Sequence, residues 1–198
     1  MAAKIKVSIK SDLVLRKLSD LKKPASKGAG FIVGILNNPE VATYAAYNEF
    51  GWVQHVTAKQ QWWFRGQRVK NPPKEGNTLM SPPRPFLRAT AAAKKDEWRK
   101  AVEEGISALG VQNIPQVMEL VARQAQVDVQ ETIRNGGTDQ QKFPERSPLT
   151  LELYQAKDAK TSKGSKRKIE GDSGSARKQA LFRSGKLLQS IGYEILKG

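Results

Sequence analysis

The chain opens with a period of two. "KIKVSIK" (4–10) sets Ile5, Val7 and Ile9 on one side and Lys4, Lys6, Ser8 and Lys10 on the other, the alternation of a strand with one wet face. The spacing then lengthens. In "SDLVLRKLSDLKK", Val14, Leu18 and Leu21 recur at i, i+4, i+7 behind a capping Ser11 or Asp12, which predicts an amphipathic helix closed by Pro24. "FIVGIL" (31–36) is continuously apolar, as expected of a central strand buried on both faces. "NNPEVATYAAYNEFG" supplies Asn38 as cap, Pro39 at the first helical position and Gly51 as stop, with Val41, Tyr44, Ala45 and Phe50 as the apolar side.

Further on, "WVQHV" and "QQWWFRGQRV" predict two aromatic strands of a hairpin, and "KNPPKEGNTLMSPP" predicts loop. Helical spacing runs from Pro85 to about Gly110. It resumes from Pro115 to Arg134, where Met118, Ala122, Ala125, Val129 and Ile133 form one stripe and "NGG" ends it. From Thr138 to Ala176 large apolar residues thin out, and 157–178 holds eight Lys and Arg against three acids, the composition of an exposed basic arm. Leu187 and Leu188 then fit a short helix, and Ile191, Tyr193 and Ile195 a last strand.

These elements predict an α+β fold: a small, mainly antiparallel sheet from segments near 3–10, 30–36, 52–66 and 190–197, packed by two long helices. The expected organisation is a core over 1–137 with a hairpin insertion near 52–81, a polar basic arm over 138–180, and a return to the core over 181–198.

Composition narrows the chemistry. A formal net charge of +15 favours polyanions or acidic protein surfaces as partners. With no cysteine and one histidine, disulfides, thiolate catalysis and a zinc site are set aside, and no cofactor is expected. No run of 18 apolar residues predicts a membrane span, and the lysine-interrupted N-terminus does not read as a signal peptide. His55 lies in an expected strand with no local nucleophile or orienting acid. Glu103 and Glu104 sit among basic residues, where surface ion pairs are their expected role. An enzyme acting through these three residues is the weakest of the readings.

Two stretches are candidates for contact. Trp62, Trp63 and Phe64, read as a strand, put side chains on both faces of the hairpin. One face could then meet another subunit, or the hairpin could lie over its own core. "PPRPFLRAT" (82–90) is a stiff, donor-poor lead-in to a helix, with Phe86 and Leu87 expected to bury and Arg84 and Arg88 available to carboxylates on a neighbour. The alternative is that the prolines set only the helix angle. In the basic arm, Lys163, Lys166, Arg167 and Lys168 could contact a polyanion or an acidic partner. No aromatic residue interrupts that run to stack on bases.

"ATYAAYNEFG" (42–51), "PPRPFLRAT" and "LFRSGKLLQSIGYEI" (181–195), with "FPERSPLTLELY" (143–154), occur in an order that resembles the phage virion morphogenesis family, the small neck and tail-completion proteins of tailed bacteriophages. The long insertion between Gly51 and Pro82 and the lysine-rich arm depart from that pattern. The resemblance implies a non-enzymatic structural protein of the virion, assembled in the host cytoplasm. It would act at the neck or tail top as copies in a closed ring, against neighbouring neck, tail-terminator, tail-tube or connector proteins. The alternative, resting on charge, is a sequence-independent double-stranded DNA-binding protein; a neck ring could also touch genomic DNA non-specifically.

Overall fold

In the structure, a computed structural model that describes residues 4–8, 30–67, 69–161, 180–181 and 185–196, the apolar strand takes the central place. Strand β2 (Gly30–Ile35) pairs antiparallel with β1 (Lys4–Ser8) on one side and with the last strand, β5 (Ile191–Leu196), on the other. The register places Phe31, Val33 and Ile35 opposite Ile195, Tyr193 and Ile191, so one face of the sheet is uniformly apolar. All of β2 except Ile32 is buried, as its unbroken apolar run requires.

Two long helices cover that face. Helix α3 (Phe86–Leu109) turns at Gly110 and a 3-10 turn (Val111–Asn113) into α4 (Ile114–Arg134). Gly110 sits at φ 84°, a left-handed conformation that glycine adopts without strain. The expected stripe of α4 is buried from Met118 to Ile133, together with Val117 and Val121. The two helices are also tied by polar contacts: Trp98 Nε1 donates to Asp128 Oδ2 (2.6 Å) and Thr90 Oγ1 to Thr132 Oγ1 (2.7 Å). The Trp98 ring meets Phe31 of the sheet edge-on, 6.4 Å between centroids.

Helix α1 (Pro39–Phe50) is capped by Asn38, whose Oδ1 accepts from Val41 N (3.1 Å). Its inward side differs from the expected one. Ala42, Ala45 and Glu49 are buried, Val41 packs at the edge of the core, Tyr44 is half exposed with its hydroxyl end covered, and Phe50 faces solvent. Small residues occupy the interface because α1 lies close against the core, leaving the bulky aromatics outside.

The insertion is corrected more substantially. β3 (Trp52–His55) pairs with β4 (Thr78–Ser81), which the sequence assigned to loop, while Trp62, Trp63 and Phe64 lie on a helix, α2 (Ala58–Gly66). The cause is local. Thr57 Oγ1 accepts from Gln60 N (3.3 Å) and Gln60 Oε1 from Thr57 N (3.0 Å), a capping box that starts a helix despite the strand preference of three aromatics. The β3–β4 ribbon is a separate two-stranded sheet and does not extend the main one.

The segment after α4 is likewise more ordered than expected. Gly137 closes a turn with Lys142, and α5 (Pro148–Thr161) follows, with Ser147 Oγ accepting from Thr150 N (3.2 Å). Helix α6 (Lys186–Gln189) precedes β5. The helix expected over 11–23 and the basic residues Lys163, Lys166, Arg167 and Lys168 lie outside the described residues.

Candidate functional site

The start of α3 poses a hydrogen-bonding problem. Its first-turn N–H groups have no partners inside the helix, and Pro85, at the cap position, has no side chain to offer them. Glu49, buried at the end of α1, supplies the answer. Its Oε2 accepts from Leu87 N (3.0 Å), and its Oε1 from both Arg88 N (3.0 Å) and Arg88 Nε (3.0 Å). Arg88 Nη2 donates in turn to the Glu49 carbonyl (2.7 Å). A carboxylate at the positive end of a 24-residue helix is favoured by the helix dipole as well as by these bonds. The Arg88 guanidinium also lies 4.7 Å from the centre of the Phe50 ring.

The proline rod fits this joint. Pro82, Pro83 and Pro85 have no N–H to satisfy, and the one donor among them, Arg84 N, bonds to Asn48 O (2.7 Å). The Arg84 side chain does not face outward as expected; the residue is only 5% exposed. Its Nε donates to Pro144 O (2.9 Å), Nη2 to Glu145 O (2.9 Å) and Nη1 to Ser81 Oγ (3.1 Å), which clamps the segment leading to α5. Burial draws its pKa below the ordinary arginine range, yet a guanidinium keeps its charge at neutral pH. Beside it, Tyr44 is lifted above the ordinary phenol range, first by burial of its hydroxyl end and then by the Tyr154 phenol.

Of the other candidate contact residues, Phe86 is wholly inside the core and Phe64 is buried, so neither is available to a partner. Arg88 remains half exposed. Trp62 and Trp63 are 71% and 53% exposed, with Arg65 stacked 5.4 Å from the Trp62 ring centre. Exposed Tyr47, Phe50, Val53 and Met80 add to an unusually apolar surface along α1 and the ribbon. Glu49 was missed in the sequence. Its signal is spacing: it lies four residues after Ala45 and seven after Ala42, on the face that packs inward.

Among the described residues, the candidate catalytic groups lie on separate elements, His55 on β3 and Glu103 and Glu104 on α3. His55 Nδ1 lies 3.3 Å from Thr78 Oγ1 on the exposed ribbon. Glu104 pairs with Lys100 (3.7 Å) on a solvated face. Among the described residues, no group of three or more His, Asp and Glu is placed to hold a metal ion, and no helix is long and apolar enough to cross a membrane. Comparison with family models, with curated proteins and with solved structures finds no match to this chain.

Proposed function

We propose that this chain is a non-enzymatic structural virion protein of a tailed phage, acting at the neck or tail top as copies in a closed ring. In that setting it completes the tail or joins it to the head. The observation that carries this reading is the convergence of the stretches in which the resemblance lies. Glu49 and Asn48 of the first stretch bond to Leu87, Arg88 and Arg84 of the second. Arg84 bonds to Pro144 and Glu145 of the third. Leu181, Leu187 and Ile191 of the last share one core cluster with Phe86 and Leu87. These contacts place the four stretches in one packed region, which supports reading them together. The exposed aromatics along α1, Tyr47 and Phe50, suit a subunit surface in a permanent particle.

Electron microscopy of lysates from a phage with an early stop codon in this gene tests the reading. Separate filled heads and tails, or tails of irregular length, are the expected result. Normal infectious particles would overturn it.

A further inference from the structure

Residues 52–81 form a small lobe built from the β3–β4 ribbon and α2. It buries three apolar residues, Val56, Phe64 and Val69, and none of them joins the main core cluster. What it exposes is out of proportion to that. Val53 and Met80 are cross-strand partners and are 65% and 70% exposed, and Trp62 and Trp63 stand out from α2. Among the described residues, no third strand joins the ribbon. Among its described residues the charge of the lobe is one-sided: Lys59, Arg65, Lys70 and Lys74 against Glu75 alone.

We infer that this lobe is a docking arm for an acidic, partly apolar segment of a different protein. Trp and Arg are the residues that most often carry binding energy at protein interfaces, and here they are already stacked on each other and presented to solvent. The excess of positive charge selects an acidic partner and steers it in, and the aliphatic pair Val53–Met80 rewards apolar side chains between the acids. A second copy of this chain is a poor occupant, because it brings the same basic lobe. Three of the four acids on its α3 are also paired within the helix, Asp96 with Arg99, Glu97 with Lys94 and Glu104 with Lys100. Nucleic acid is also disfavoured: Arg65 covers one face of Trp62, and Val53 and Met80 gain nothing from phosphates.

The test uses the purified full chain and a fluorescein-labelled peptide in which glutamate alternates with valine and phenylalanine, read by fluorescence anisotropy. Binding that weakens with added salt is expected. Trp62→Ala and, separately, Arg65→Glu should each lower affinity at least about tenfold while melting with wild-type cooperativity. Both sites are exposed, so folding is not at risk. Equal affinity in the variants overturns the inference, as does equal affinity for a peptide with lysine in place of glutamate. Displacement of the peptide by a double-stranded DNA oligonucleotide that itself depends on Trp62 assigns the lobe to nucleic acid and overturns it too. Self-association of the wild type that Trp62→Ala abolishes assigns it to a second copy. The experiment involves no virion, so its failure leaves the assembly reading to its own test.

Discussion

Glu49 is a carboxylate almost without water contact, yet every one of its hydrogen bonds is made to a group that needs an acceptor. Removing it leaves the Leu87 and Arg88 N–H groups buried without partners at the head of the longest helix. Glu49→Ala should therefore cost about 3 kcal/mol of unfolding free energy. Arg88→Ala should cost about 1 kcal/mol or less, because that side chain is half exposed and the carboxylate keeps its two backbone donors. Urea unfolding of both variants checks the order. A larger loss for Arg88→Ala would mean that the ion pair, and not the helix cap, holds the joint. The sequence pointed to arginines in this stretch as outward anchors; burial and neutral acceptors gave Arg84 an internal role instead. Linear order cannot reveal that Pro144 and Glu145 return to within reach of residue 84.

At the scale of elements, local signals were legible wherever they were self-contained. Asn38-Pro39, the Met118–Ile133 stripe, the period-two strands and the Gly136-Gly137 stop all specify their elements through contacts within a few residues. The insertion was misread because three adjacent aromatics prefer strands, while the capping box of Thr57 and Gln60 decides the first helical turn and the rest follows cooperatively. Gly51 shows the opposite dependence. It reads as a helix stop, but it sits at φ 71°, and an added Cβ would come 2.7 Å from Ser81 O and 2.9 Å from Pro83 N. Gly51→Ala should destabilise by about 2 kcal/mol or more, since strain and collision with backbone combine. Gly66→Ala, where nothing lies within 4 Å, should be neutral or stabilising by up to about 1 kcal/mol. Thermal unfolding of the pair decides it; equal shifts would show that the Gly51 junction tolerates a side chain.

Over the whole molecule, one apolar cluster joins β2, α1, α3 and α4 with Ala180, Leu181, Leu187 and Ile191, while the described residues of the 52–81 lobe stand outside it. Burial of each large core side chain contributes about 1.5–3 kcal/mol, so stability concentrates where these elements meet. The lobe, with three buried apolar residues, should open without the rest. Its amides at Val56, Gln61 and Gly76, which bond within the lobe to Asn77, Thr57 and Val56, should exchange with solvent through a sub-global opening. Amides of β2 and α4 should exchange only on global unfolding. Hydrogen exchange under native conditions separates the two. Lobe amides as slow as those of β2 would make the molecule a single cooperative unit and leave the lobe no independence as an arm.

The sequence alone determined the α+β class, the central strand, both long helices and their buried stripe, because each rests on periodicity and caps that act over a few residues. It also determined the positive charge and the absence of thiol chemistry, which are matters of composition. Only the tertiary structure decided that Glu49 caps a helix 37 residues further along, that Arg84 turns inward to clamp Pro144 and Glu145, and that Trp62 and Trp63 stand on a helix in a lobe apart from the core. Each of these depends on which distant groups lack a hydrogen-bond partner or an apolar neighbour once the chain is folded. That accounting closes in three dimensions and has no counterpart along the chain.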